Sequence, residues 1–332
     1  MILLTGAAGF IGFHTARALL EAGEAVVGVD NLNDYYDVSL KKARLAVLEP
    51  FKTFRFVKAD IADERSLRAV LAEYPQIDRI VHLAAQAGVR YSLTRPYVYG
   101  HSNLDGQLTI LEIARHLGKG LKHFVYASSS SVYGGNTKLP FSVEDPVDCP
   151  LSLYAATKRA GELLTQSYSH LYAIPATGLR FFTVYGPWGR PDMAVYSFTE
   201  AIVRGQPITV YNSGNMKRDF TYIDDVVAGI LGALAAVPEA GGAHTIGGAP
   251  HRIFNLGNHR SEKLTGLIGL IEKALDLKAV RVFSPLQPGD VVETYADIRA
   301  STEIFGFKPK TPVSKGIPAF VEWYRSYMAD SR

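Results

Sequence analysis

Tyr154 and Lys158 stand four residues apart in a segment of helical pattern, so their side chains share one face. A phenol with an ordinary pKa near 10 is a poor base at neutral pH. A neighbouring ammonium stabilises the phenolate, and a second positive charge, such as an oxidised nicotinamide, brings it further into working range. Before the pair runs Ser128-Ser129-Ser130-Ser131-Val132-Tyr133-Gly134, placed at a strand end where hydroxyls can hold a substrate hydroxyl or a developing carbonyl in line with the phenolate. The helix continues through Ala155, Ala156, Ala160 and Gly161, small residues that let it lie close to another surface. If Tyr154 is a base, at least one of the serines is its partner.

A pair of this kind gains chemical meaning from its surroundings, and the first of these is Thr5-Gly6-Ala7-Ala8-Gly9-Phe10-Ile11-Gly12, between an apolar run and a helical pattern. Glycines there permit a tight turn and let the backbone approach a pyrophosphate, while the helix N-terminus offers unpaired N–H groups and positive potential. Asp30 ends the next apolar run 18 residues past Gly12, close to the ~20 at which an acid meets the adenosine ribose hydroxyls. That acid would repel a 2′-phosphate, and no Arg immediately follows it, so the cofactor read from the residues is NAD rather than NADP. Asp60-Ile61, just past the third strand, lies where the chain would pass the adenine, although Asp60 taken alone reads as a helix cap.

The elements that must position these groups alternate through the first half. Strands are expected at 2–5, 25–30, 53–58, 79–83, 123–128 and 176–180, with helices at 12–22, 65–73, 103–117 and 153–172. Near-continuous apolarity in Val26-Val27-Gly28-Val29 and Ile80-Val81-His82-Leu83 suits parallel strands covered on both faces. The fold class is therefore α/β, with a doubly wound parallel sheet of Rossmann type, six strands in this half, and a second, smaller α/β domain. Residues 1–180 form the nucleotide-binding domain and 181–332 the substrate domain. After Arg180, Pro and Gly are frequent and only short regular segments are expected. The exception is 221–237, a helix opening on Thr221 with Asp224-Asp225 in its first turn. The stretch 218–258 containing it is expected to pack back on the first domain, and 238–252, with four Gly, reads as a flexible loop.

Composition narrows the partners. The 332 residues carry 35 Lys+Arg against 32 Asp+Glu, a net charge of +3, too little for the electrostatic footprint of a nucleic-acid or anionic-membrane binder. No apolar run reaches the ~18 residues of a membrane helix, and Met1-Ile2-Leu3-Leu4 breaks at Thr5-Gly6 without a basic leader, so it reads as a strand and not a secretion signal. Cys149 is the only cysteine, so no intramolecular disulfide forms, and the Cys and His pairs of a structural zinc site are missing. A reducing cytoplasm is the expected location and no metal is expected.

Beyond these readings the sequence resembles the extended short-chain dehydrogenase/reductase family, and within it the nucleotide-sugar epimerases. The resemblance runs over Thr5–Gly12, Asp30, Asp60-Ile61, His82-Leu83-Ala84-Ala85, Ser128–Gly134, Tyr154 to Lys158, 179–186, Arg218–Asp225 and Gln287–Asp290. Ala85-Gln86-Ala87-Gly88-Val89-Arg90-Tyr91, the stretch from Arg180 through Gly186-Pro187-Trp188-Gly189-Arg190-Pro191-Asp192-Met193, and Asn215 through Asp225 look more specifically like UDP-glucuronate 4-epimerases. The resemblance implies cofactor contacts from Gly6, Gly9, Phe10, Ile11, Gly12, Asp30, Asn31, Asp60, Ile61, Leu83, Ala84, Ala85, Tyr154, Lys158 and Phe181. Tyr154 would be general base and acid at the C4 hydroxyl, Lys158 would bind the nicotinamide ribose, and Ser129 would be the hydroxyl partner.

Substrate contacts are implied for Arg90, Ser128, Ser129, Ser130, Tyr154, Phe182, Thr183, Arg190, Val210, Arg218 and Asp290, with Arg218 clamping the diphosphate bidentately. Two departures stand out. Thr183 occupies a position where galactose-type epimerases carry Asn, and Gln287-Pro288-Gly289-Asp290 lacks the Arg of their Arg-x-Gly-Asp element, which makes Arg190 the replacement candidate, with Arg90 near the sugar or the phosphates. Related dehydratases and decarboxylases carry acids directly after the catalytic Thr or Ser, where this chain has Ser130 and Ser131. The implied activity is therefore NAD-dependent 4-epimerisation of UDP-glucuronate to UDP-galacturonate through a 4-keto intermediate, with NAD tightly bound and regenerated each cycle. UDP-glucose or relaxed nucleotide-sugar epimerisation, UDP-glucuronate decarboxylation and a non-catalytic NAD sensor are the alternatives. Helices 103–117 and 153–172 resemble those of a four-helix interface, which implies a homodimer.

Overall fold

The computed structural model describes residues 1–287 and 289–330. Strands and helices alternate from the start: β1 (Ile2–Thr5), α1 (Phe10–Glu21), β2 (Val26–Asp30), α2 (Val38–Leu48), β3 (Phe54–Lys58), α3 (Glu64–Glu73) and β4 (Arg79–His82). Two single turns, α4 (Tyr91–Thr94) and α5 (Pro96–Tyr99), lead to α6 (Gly106–Leu117), β5 (His123–Ser129), α7 (Leu153–Tyr172) and β6 (Ala176–Phe181). Then come β7 (Thr183–Tyr185), α8 (Ala194–Val203), β8 (Ile208–Tyr211), β9 (Lys217–Arg218), β10 (Phe220–Tyr222) and α9 (Ile223–Ala235). The chain ends with β11 (His251–Leu256), β12 (Glu262–Lys263), α10 (Leu264–Leu275), β13 (Arg281–Ser284), α11 (Arg299–Phe305) and α12 (Val313–Asp330).

Seven parallel strands form the central sheet in the order β11-β6-β5-β4-β1-β2-β3. Strands β1, β2, β6 and β11 are buried along their whole length, as expected when helices cover both faces. One apolar layer joins α1, α2 and α9 to the sheet, and the other joins α3 and α6, with α7 packed on α6. Local sequence starts these helices: the Asp37 carboxylate accepts from Ser39 N at 2.8 Å before α2, and Ser152 Oγ accepts from Ala155 N at 3.1 Å before α7. Strand β1 lies between β2 and β4, so the connections leaving β1 and β4 diverge and open a crevice at the carboxyl ends of the strands.

The structure corrects the expectations for the second half. The sheet has a seventh strand, β11, whose first two residues fall in the segment expected to be a loop. Long helices, α10 and α12, follow where only short segments were expected, and α2 was not foreseen. Thr221 belongs to β10, not to a helix, and its hydroxyl donates to Asp219 Oδ1 at 3.0 Å. Strand β11 was obscured by His251, Arg252 and Asn255, polar residues that are nonetheless buried.

Three histidines of the central sheet are buried. Nδ1 of His82 lies 2.7 Å from Thr5 Oγ1, His123 bridges the Leu234 carbonyl and Thr177 Oγ1, and His251 bridges the Tyr126 hydroxyl and Gln166 Oε1. Burial lowers the pKa of His82 to about 3 and of His123 and His251 to about 4. The folded protein holds them neutral where the unfolded chain takes up protons near pH 6.5, so their contribution is full above pH 6.5 and is lost as the pH falls toward about 4, up to about 3 kcal/mol for each. Asp219, raised by burial to about 6, and Asp224, also raised by burial, oppose this. The melting temperature is therefore expected to drop steadily between pH 7 and pH 4.5 in thermal melts, and a flat profile would contradict this reading.

Candidate active site

At the start of the crevice the chain is held so tightly that only glycine fits. Gly6 has φ +76°, and a Cβ on Gly12 would lie 1.9 Å from the Gly6 carbonyl oxygen. Helix α1 begins at Gly9 with no side-chain cap and no acid in its first turn, which leaves its first N–H groups for an anion. Gly6, Gly9, Phe10, Ile11 and Gly12 line one cavity of about 860 Å³, joined by Asp30, Asn31, Ile61, Leu83, Ala84 and Ala85. Asp30 Oδ2 accepts from Ala8 N at 3.2 Å and Oδ1 from Leu32 N at 2.9 Å. These residues fit the diphosphate and ribose of a dinucleotide. Asp60 acts one step away: its carboxylate accepts from Asn31 Nδ2 at 2.9 Å, while the cap of α3 is Asp63.

Deeper in the same cavity lie Tyr154 and Lys158 on α7, Ser128 and Ser129 at the end of β5, Ser130 and Ser131 beyond it, and Phe181, Phe182 and Thr183. Ser129 Oγ donates to Ser131 Oγ at 3.1 Å. Lys158 Nζ donates to the Ala127 carbonyl at 2.9 Å, and burial lowers its pKa to about 8 against the opposing charge of Glu162. Burial raises the Tyr154 pKa, while a hydrogen bond with Ser129 and the charge of Arg190 pull it down. Ser129 and Arg190 thus ease Tyr154 toward phenolate, and the charge of Asp192 opposes them. The edge of the Tyr154 ring meets Tyr99 at 6.1 Å between centroids.

Three arginines face the cavity from other elements. Arg218 donates to the carbonyls of Lys217 and Val292, at 2.9 and 3.1 Å, and makes no ion pair among the described residues. Arg90 pairs with Asp290 at 3.0 Å and lies over the Tyr211 ring at 4.3 Å. Arg190 is held by Asp192 through two contacts of 3.0 and 2.5 Å, so its charge is already matched within the chain. Val210 does not line the cavity: its side chain is fully buried in the core, and alternation along β8 turns Thr209 and Tyr211 to the cavity instead. Of the Gln287–Asp290 element, Pro288 lies outside the described residues. Cys149 is exposed and takes no part in the site.

The sequence pattern of the NAD dependent epimerase/dehydratase family matches residues 2–257. The chain belongs to that family. UDP-glucuronate 4-epimerase 1 of Arabidopsis thaliana is 49% identical over 98% of this chain and 77% of its own length. Among solved structures, the UDP-glucuronic acid 4-epimerase of Bacillus cereus, in complex with UDP-glucuronic acid and NAD, superposes with a TM-score of 0.88 at 34% identity, covering 98% of this chain and 99% of the other. A UDP-glucose 4-epimerase of Thermotoga maritima, with UDP-glucose, superposes at 0.84 with 29% identity, covering 98% and 99%.

Two groups in this family member were missed from sequence. Glu162 is buried beneath the serines, accepting from Ser128 Oγ at 2.6 Å and from Arg180 at 2.8 and 2.9 Å. Its position four residues after Lys158, and so on the same helix face, was the available signal. Lys41, on the unforeseen α2, lines the cavity and donates to both Asn33 oxygens, at 2.8 and 2.7 Å. No helix of the described residues is long and apolar enough to cross a membrane.

Proposed function

We propose that this protein inverts C4 of UDP-glucuronate to give UDP-galacturonate. The observation that carries this reading is the single cavity in which a glycine-cradled dinucleotide site meets Tyr154, Lys158 and Ser129 beside the uncharged hydroxyls of Ser130, Ser131 and Thr183. NAD, when bound, supplies reversible hydride acceptance at C4. The chain's own residues manage protons and orientation: Tyr154 takes the O4 proton and returns it, Ser129 holds O4, and Lys158 keeps positive charge on the ribose side. The unmatched Arg218 is the diphosphate clamp, with Arg90 able to exchange Asp290 for phosphate. Two faces of C4 must be presented in turn, so the sugar has to rotate while the nucleotide stays anchored.

A uronate oxidised at C4 is a β-keto acid and can lose CO2, and a carboxylate next to Ser129 would assist proton transfer at C5. With Ser130 and Ser131 there, neither dehydration nor decarboxylation has a local acid or base, and a hydroxyl cluster accepts the substrate carboxylate without repulsion. Incubating the purified protein with UDP-glucuronate and with UDP-glucose, and separating products by anion exchange, tests this. UDP-galacturonate is the expected main product, whereas faster conversion of the neutral sugar or a UDP-pentose would overturn the assignment.

Residues 1–180 would hold NAD and 181–332 the UDP-sugar. Exposed Leu108 on α6 and Leu163, Leu171 and Tyr172 on α7 support a homodimer through these helices, and a monomer mass by light scattering would refute it. The single cysteine supports a cytoplasmic location.

A further inference from the structure

Arg44, on α2, is fully buried and forms no ion pair among the described residues. Its Nη1 donates to the Ala8 carbonyl at 2.8 Å and the Tyr36 hydroxyl at 2.7 Å; its Nη2 donates to the Trp188 carbonyl at 2.6 Å and the Gly189 carbonyl at 3.4 Å. Its Nε has no partner. A buried guanidinium without a counter-charge is costly, so a structure that keeps one gains something at that place. The planar fork of arginine, with donors fixed on either side, reaches two separate backbone segments at once.

Those two segments belong to the two ligand sites. Ala8 lies in the glycine-rich turn, and its N–H donates to Asp30, so Asp30 and Arg44 hold the two successive peptide units that flank Ala8. Trp188 lies in the connection from β7 to α8 with φ +63°, a left-handed conformation that a side chain seldom adopts, and its ring packs on Phe13 of α1 at 5.4 Å. His14 of α1 adds a contact of 2.9 Å to the Pro187 carbonyl. Two and four residues after Trp188, Arg190 and Asp192 line the cavity.

We propose that Arg44 is a positioning residue that couples the dinucleotide site to the UDP-sugar site, by clamping the Trp188–Gly189 connection onto the glycine-rich turn so that Arg190 and Asp192 face the cavity. Ordering the turn around a dinucleotide then also orders the substrate side, and the clamp's unmatched charge favours the pyrophosphate dianion. The inference rests on the reading of the cavity given above, so its test uses binding of UDP, without turnover.

The holoenzyme and its Arg44→Lys and Arg44→Met variants are titrated with UDP by calorimetry, NAD retained through purification is quantified after denaturation, and melting is followed by circular dichroism. Lysine keeps the charge but has no fork, so Arg44→Lys is expected to retain NAD and to bind UDP about tenfold more weakly. Methionine loses both, and both ligands are expected to weaken. A purely structural Arg44 would lower the melting temperature in both variants and leave UDP affinity unchanged, and UDP affinities within twofold of wild type in folded Arg44→Lys overturn the proposal. If Arg44→Met does not fold, Arg44→Lys decides. Trp188 and Trp323 are the only tryptophans, with rings 5.4 Å apart, so emission from wild type also reports on the connection. It is expected to change on adding UDP, and a silent titration at saturation overturns the coupling. Failure of wild type to bind UDP at all would instead remove the reading of the site itself.

Discussion

Replacing Tyr154 with phenylalanine is expected to lower turnover about a thousandfold while leaving bound NAD and the affinity for UDP unchanged. The substitution removes one oxygen and keeps the ring, so the edge contact with Tyr99 survives. It also removes the group that, on the proposed reading, carries the O4 proton, while Lys158 is engaged by the Ala127 carbonyl and Ser129 by Ser131. At neutral pH the phenol is protonated whether the chain is folded or unfolded, so its raised pKa does not bear on stability there, and losing the hydrogen bond with Ser129 is expected to lower the melting temperature only slightly. Product formation assayed alongside NAD content and melting temperature checks the three claims together. Activity within tenfold of wild type would take the proton role away from Tyr154.

Replacing Glu162 with glutamine is expected to act mainly on stability. The change is almost isosteric, but it leaves the Arg180 guanidinium buried with no carboxylate, and Arg180 is only 2% exposed. Breaking one side of a buried pair costs about 3–5 kcal/mol. For a chain of this length that corresponds to a fall of roughly 6 °C in melting temperature. Adding Arg180→Met should restore much of the loss, because an apolar side chain in place of the unpaired cation removes its desolvation cost.

A second effect of Glu162→Gln is chemical and should survive the rescue. Glu162 raises the pKa of Lys158 against burial, so without it the ammonium loses its proton at lower pH than the present value of about 8. The alkaline limb of the pH–rate profile should therefore move toward neutrality in both the single and the double variant. A limb that stays in place would mean that Lys158 ionisation does not control the rate.

Much of this site was legible because its chemistry demands local sequence. A glycine turn before a helix, an acid at the end of the next strand and a tyrosine four residues from a lysine are spacings set by one helix or one turn. What escaped depends on partners distant in sequence. Sequence does not pair Glu162 with Arg180, which meet only when β6 is laid against α7, 18 residues apart yet buried together. Strand β11 escaped because His251, Arg252 and Asn255 look solvated, but each finds a partner elsewhere: Tyr126 for His251, the Ala236 carbonyl for Arg252 and the Tyr133 hydroxyl for Asn255. Val210 was implied by the resemblance alone, with no strand foreseen around it, and in β8 the alternation of side chains turns its neighbours Thr209 and Tyr211 to the cavity instead.

The place of β11 at the end of the central sheet also sets an order for the making of the molecule. A nascent chain that has emerged only as far as β6 has every strand of the nucleotide half except the one that covers it, and β6 presents an unpaired edge of backbone N–H and C=O groups. That edge stays open while some seventy further residues are translated, several seconds at ordinary ribosomal speed. The two halves are thus sewn together by a late stitch, and the unfinished intermediate is the species most exposed to wrong pairing with its neighbours on a polysome.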